Sequence, residues 1–274
     1  MQPLQSIRAP IAAILLIQAF VLVVRELIGT RLRERGIETD FAKDLSYLVV
    51  PLLLAGTLYP VLKVHKAYLL ELFSVRRLTM RLVLTAIAIG VLARVVYWCQ
   101  LLGSIAFGLL TNSDPAAIPG PLVSFGCPPA HVFLLGLLVA IGLVPVIEEI
   151  INRGLIQATL MNRGRWFAII VSALLFAAFH TPASMPFVFI FGIVFAMQFA
   201  NTRTLLTTII THATYDGLIQ FDWRCVQGNW NPPIGDTPML GLGVTYLLGL
   251  IVSCAAIAGL LTRAGVPKTP RTQS

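Results

Sequence analysis

Apolar residues along this chain fall in long continuous runs, parted by short stretches that hold most of the charge. A membrane-spanning helix needs about twenty mostly apolar residues. Runs of that kind lie near Pro10 to Val24, Leu45 to Leu62, Leu82 to Leu102, His131 to Ile151, Trp166 to His180, Pro186 to Ala200, Thr204 to Gln220 and Met239 to Thr262. The pattern predicts an all-α fold, a polytopic membrane helical bundle with about eight transmembrane helices. A transmembrane β-barrel would instead show segments of about ten residues with alternating polarity. The fifth and sixth runs are joined by Thr181-Pro-Ala-Ser-Met-Pro186, a tight turn whose prolines can continue neither helix. Between the second and third runs, Lys63 to Arg81 mixes Lys66, Arg76 and Arg77 with Tyr68, Leu69, Leu70, Leu72 and Phe73, which suits a helix lying on the bilayer surface.

Composition agrees. The chain is 57% hydrophobic and 12% charged, against about 25% charged residues in soluble domains. Its formal charge of +8 does not point to nucleic acid, because basic residues of membrane proteins collect in cytoplasmic loops and beside anionic headgroups. The expected partners are the lipid bilayer and a membrane-associated protein or peptide, with no nucleic acid. With the N-terminus inside, twelve loop Lys and Arg residues face the cytoplasm and six face away. Both termini are therefore expected to be cytoplasmic, although the first outer loop holds Arg25, Arg31, Arg33, Arg35 and Lys43, matched there by Glu26, Glu34, Glu38, Asp40 and Asp44. The first apolar run has no Ala-x-Ala-type exit and reads as a retained span. The four cysteines lack any CxxC spacing, so they carry no zinc or redox signature. Cys127 and Cys225 could form a disulfide if both lie in loops on the non-cytoplasmic side. One structural domain is expected, with residues 1–130 as helices and loops without motifs, 131–262 as the core that carries the chemistry, and 263–274 as a disordered tail.

Polar residues inside the apolar runs are the informative exceptions. Glu148 and Glu149 are adjacent in the fourth run, and Arg153 follows one turn later. A charged group at the centre of a spanning helix costs about 2.5–3.5 kcal/mol on insertion scales, so such a residue is a functional candidate by default. Spacing of i to i+4 lets Glu149 pair with Arg153 along one face and leaves Glu148 pointing about 100° away. Phe176-Ala-Ala-Phe-His180 closes the fifth run, and His212-Ala-Thr-Tyr-Asp216 places His212 and Asp216 one turn apart in the seventh. A carboxylate in a poorly solvated cavity is a competent general base for water. A positioned imidazole can hold that water or stabilise an oxyanion. Glu148, His180, His212 and Asp216 thus supply the parts for hydrolysing an amide within or near the bilayer.

The pattern Glu148-Glu149-x-x-x-Arg153, then Phe176-x-x-x-His180, then His212-x-x-x-Asp216 resembles the CPBP family, also called the Abi or type II CAAX prenyl protease family, of glutamate-dependent intramembrane endopeptidases. Arg153-Gly-Leu-Ile-Gln157 and the stretch from Gly192 through Asn201-Thr-Arg203 to His212 are similar to it as well. The resemblance covers Pro145 to about Asp216. It implies that Glu148 activates the hydrolytic water, that His180 and His212 position that water or stabilise the oxyanion, and that Asp216 stands where members often carry asparagine. Glu149 and Arg153 would be supporting. Asn152 departs from a common phenylalanine, and an ionised Asp216 could orient His212 but could not donate to an oxyanion.

No metal and no cofactor are expected. Two histidines and a glutamate can bind zinc, but the chain has no His-Glu-x-x-His, and the resemblance favours a metal-free mechanism. The expected protein is an intramembrane endopeptidase, in a bacterial inner membrane, cutting a C-terminal sorting tag as myxosortase-like members do, a bacteriocin-type peptide or a prenylated substrate. The alternatives are a non-proteolytic immunity or scaffold protein and a proton-coupled transporter. Arg94, midway in the third run, reads as a structurally paired cation, and Phe187, Phe189, Phe191, Phe195 and Phe199 read as packing or lipid-facing surface.

Overall fold

The computed structural model describes residues 7–111, 123–125, 127–182, 184–228 and 236–264. Residues 265–274, which hold most of the tail predicted to be disordered, lie outside them. Ten helices follow in order among the described residues: α1 Ile11–Glu34, α2 Thr39–Thr57, α3 Tyr59–Val64, α4 Lys66–Leu72, α5 Met80–Thr111, α6 Ala130–Arg163, α7 Arg165–Ala178, α8 Met185–Thr202, α9 Leu205–Cys225 and α10 Asp236–Arg263. A single-turn 3-10 helix occupies Val75–Arg77. Outside the helices, β1 Val123–Phe125 pairs antiparallel with β2 Val226–Gly228, Ser124 opposite Gln227.

The fold is helical, as the apolar runs predict. Five stretches are long and apolar enough to cross a bilayer: Ile11–Glu34, Met80–Gln100, Ala130–Arg163, Met185–Thr202 and Gly243–Arg263. The chain is an integral membrane protein, with five such stretches among the described residues where about eight spans were expected. The shortfall has local causes. Helix α7 has only 14 residues, about 20 Å at 1.5 Å per residue. Helix α2 carries Asp40, Lys43 and Asp44, and α9 carries four threonines, His212 and Asp216. The second run also breaks after Thr57, because Pro60 sits in the first turn of α3 and disfavours helical geometry in the residue before it. The surface helix predicted between Lys63 and Arg81 becomes short pieces, with Tyr68, Leu69 and Leu72 buried against the bundle.

Cross-links between helix ends define two faces. At the first, called basal here, the Ala9 amide donates to Thr159 Oγ1 at 2.9 Å, Asn162 Nδ2 donates to the Ile7 carbonyl, Thr204 Oγ1 donates to the Leu72 carbonyl and Asn201 Nδ2 donates to the Leu261 carbonyl. At the other, Phe41 meets His131 edge-on at 5.4 Å, and a disulfide joins Cys127 to Cys225. The pairing left open in the sequence therefore forms.

Lipid offers apolar side chains as good a home as a protein interior does, so close backbone approach and hydrogen bonds hold spanning helices together. Gly90 of α5 lies so close to α9 that a Cβ there would sit 2.7 Å from the Thr211 carbonyl oxygen. Thr211 Oγ1 donates to the Ala86 carbonyl across the same contact. Gly192 of α8 packs so closely against α7 that a Cβ there would sit 3.1 Å from Ala173 Cα and Cβ. Leu16, Leu52, Leu134 and Leu248 point outward and are well exposed, as suits a lipid-facing surface.

Candidate active site

Helix α6 positions the paired glutamates through an irregular backbone. Pro145 has no N–H to give and its ring crowds the carbonyl one turn back; the preceding turn, Leu138–Leu143, is wound as a π-helix. A second π-helical stretch covers Ile150–Gln157. There Asn152 Nδ2 donates to the Glu148 carbonyl at 2.8 Å, inserting a side-chain donor into the backbone ladder. Such wide turns in α-helices are frequent at functional sites.

The two carboxylates meet different surroundings. Glu149 is fully buried, 3.3 Å from Arg153 Nε, which is fully buried too. Arg153 also donates to Ser172 Oγ of α7 at 3.2 Å, and its guanidinium lies over the Phe176 ring. The i to i+4 pairing read from the sequence is present. It is not the whole role of Glu149, because Oε1 also takes the His212 Nδ1 of α9 at 3.1 Å. An ionised carboxylate only accepts, so that nitrogen donates.

His212 Nε2 then faces Asp216 Oδ2 at 3.3 Å and Glu148 Oε2 at 3.9 Å. The Phe195 ring stacks on the imidazole at 5.0 Å, and Phe176 meets it edge-on. One member of the phenylalanine group thus packs directly on a site histidine. Glu148 keeps 28% of its side chain exposed, while its buried Oε2 makes no hydrogen bond among the described residues. His180 closes α7 with Nδ1 against the Phe176 carbonyl at 3.0 Å. Since that carbonyl can only accept, Nδ1 donates and Nε2 is left for other work.

Two cavities meet at these residues. One, between α1, α2, α6 and α7, has Glu148, Asn152 and His180 in its wall with Arg25 and Tyr47. The other, between α5, α7, α8 and α9, has His180, His212 and Asp216 with Arg94 and Tyr215. Glu148, Glu149, Arg153, His180, His212 and Asp216 are therefore brought together from α6, α7 and α9. Arg94 is buried over Tyr97 and Trp98, in line with a paired cation. The contributions of α1 and α2, Arg25 donating to the Tyr47 hydroxyl at 2.5 Å and Gln18 beside them, carried no motif. Among the described residues no group of three or more His, Cys, Asp and Glu is arranged to hold a metal ion.

Comparison with known proteins bears on the same segment. Residues 130–218, 89 of the 274, match the family described as type II CAAX prenyl endopeptidase Rce1-like. No curated protein matches the chain. The match contains all six residues above and agrees with the resemblance drawn from the motifs. It indicates a peptidase, in general terms a CAAX-type intramembrane endopeptidase acting on a membrane-associated protein.

Proposed function

We propose, from the premise that residues 130–218 form an Rce1-like core, that this protein hydrolyses a peptide bond of a membrane-associated polypeptide with water activated by Glu148. The observation that carries the reading is the unequal state of the two glutamates. Glu149 is committed to Arg153 and His212. Glu148 is open to a cavity it shares with His180, and its Oε2 has no hydrogen bond among the described residues.

The chemistry follows from that division. Glu148 takes a proton from water as its oxygen attacks the scissile carbonyl carbon, and a tetrahedral oxyanion forms. His180 Nε2, left free by the bond at Nδ1, and His212 Nε2 belong to rings that line the same cavity; in the neutral ring Nε2 accepts from the water, and in the imidazolium it donates to the oxyanion. The proton on Glu148 passes to the departing amine as the C–N bond breaks. No covalent intermediate is required. Glu149 is a positioning residue, fixing the His212 ring through Nδ1, and Arg153 neutralises it. Asp216 orients the same ring from the Nε2 side.

The substrate is drawn from C-terminal sorting tags, bacteriocin-type peptides and prenylated C-termini, and the setting is a bacterial inner membrane. Residues 131–262 form the catalytic core and the preceding helices form one wall of the cleft. The test is purified protein in lipid, assayed against a library of membrane-anchored C-terminal tags and prenylated peptides, beside Glu148→Ala and His212→Ala. Cleavage by the parent and loss in both variants is expected. Full activity in both variants, or no cleaved peptide at all, overturns the reading.

A further inference from the structure

The site has a closed floor and an open roof. Between it and the basal face, Arg153, Leu155 and Ile156 of α6, Thr204 just before α9, and Leu205 and Thr207 within it are all fully buried, so that side is packed with protein. Toward the other face the cover is missing. Helix α7 rises from the basal side for only 14 residues, about 20 Å, against a hydrocarbon thickness of about 30 Å. The turn that follows leaves Thr181 and Pro182 exposed. Thr181 and Ser184 line the same cavity as Asp216 and Ile219, and Ile219 lies about 9 Å along α9 from Cys225. Non-helical backbone at membrane depth is tolerated only inside protein or beside a water-filled cavity. Since Thr181 and Pro182 are exposed, the cavity beside them must be wet. Its water enters from the end of the bundle that bears the disulfide.

That end can be assigned to a compartment. Disulfides form and persist in oxidising environments and are rare in the cytosol, and the Cys127–Cys225 bond ties the start of α6 to the end of α9. The charges divide in the same sense. Arg8, Arg163, Arg165, Arg203 and Arg263 lie at the basal end, the cytoplasmic pattern for loop cations. At the opposite end, Arg25, Arg31 and Arg33 are each ion-paired with Glu26 or Glu34.

We infer that the catalytic cleft opens to the non-cytosolic face, and that its substrate is an exported polypeptide held by its own spanning segment with the scissile bond on that face. This names the substrate class for the peptidase reading and rests on it. A cytosolic protein with a prenylated C-terminus would approach from the sealed floor.

Thiol labelling tests the opening without any peptidase assay. In the full chain with Cys99→Ala and Cys254→Ala, single cysteines are introduced as Thr181→Cys in the cleft, Arg35→Cys at the disulfide end and Arg163→Cys at the basal end. A membrane-impermeant maleimide is expected to label the first two in intact cells and Arg163→Cys only after permeabilisation. Labelling of Thr181→Cys only after permeabilisation, or under neither condition, overturns the proposal. The parent chain gives a second reading that needs no variant. In acid-quenched cells, Cys127 and Cys225 should accept a thiol mass tag only after reduction, and tagging without reductant counts against the compartment. Single-span peptide libraries inserted in both orientations then test the substrate class. Cleavage confined to exported segments is expected, and cleavage confined to cytosolic ones overturns it. No cleavage in either orientation overturns the peptidase reading and the substrate class with it, while the labelling pattern decides the opening of the cleft on its own.

Discussion

Removing Arg153 separates what the buried ion pair does for stability from what it does for chemistry. Both Arg153 and Glu149 are fully buried and 3.3 Å apart. Deleting one partner of such a pair leaves an uncompensated buried charge, at a cost of about 3–5 kcal/mol. Arg153→Met should also remove the bond that Ser172 Oγ accepts from Arg153 at 3.2 Å, leaving the hydroxyl only its bond to the Ile169 carbonyl and adding about 0.5–1.5 kcal/mol. Glu149→Met should cost a similar amount, because the guanidinium is then left alone. The double variant removes both charges and fills the space with apolar atoms, so it should recover to within about 2 kcal/mol of the parent, as replaced buried pairs commonly do. Activity should not recover with it. His212 Nδ1 loses its acceptor on Glu149, and loss of an orienting partner on a reactive imidazole lowers rates by about 10² to 10⁴-fold. Stability is read as the unfolding midpoint in mixed micelles of increasing SDS fraction, and activity as kcat/KM on a cleaved peptide. If the double variant is no more stable than either single, the pair is not the source of the cost. If it is as active as the parent, Glu149 does not position His212.

Three further outcomes follow from named contacts. Gly90→Ala should destabilise the protein by about 1–3 kcal/mol, since the new Cβ would meet the Thr211 carbonyl at 2.7 Å; a midpoint equal to the parent's would show that α5 and α9 can part freely. Asp216→Asn should keep activity within about tenfold, because an amide oxygen can still accept from His212 Nε2, now 3.3 Å from Asp216, whereas Asp216→Ala should lose about 10² or more. Equal loss in both would mean that the charge of Asp216 is required. Strong chelator should leave the rate of cleavage unchanged, and recovery of a lost rate by added zinc would contradict the metal-free scheme.

Local features were legible before the structure. The Thr181 to Pro186 segment marked the turn between α7 and α8, since proline punctuates helices wherever it falls. The i to i+4 spacing gave the Glu149–Arg153 pair and turned Glu148 away from it. Contacts set by packing between distant segments could not be derived from spacing, and the Cys127–Cys225 bond was legible only as a conditional pairing. Glu149 to His212 spans 63 residues and Cys127 to Cys225 spans 98, and no spacing rule reaches so far. The cavity wall from α1 and α2 was hidden for a different reason. Gln18, Arg25 and Tyr47 stand among ordinary polar and interfacial residues, and only burial beside Glu148 gives them meaning. The expected count of eight spans differs from the five stretches long and apolar enough among the described residues, because α7 has only 14 residues and α9 interrupts its apolar run with threonines, His212 and Asp216.

The central claim is that Glu148, and not its neighbour, activates the water. Its most direct test is Glu148→Gln, which keeps the shape and removes the base, measured as single-turnover cleavage of a peptide that the parent protein cuts. A loss of about 10² to 10⁴-fold, with the unfolding midpoint unchanged, is the predicted result. Cleavage at the parental rate by folded Glu148→Gln protein would contradict the account.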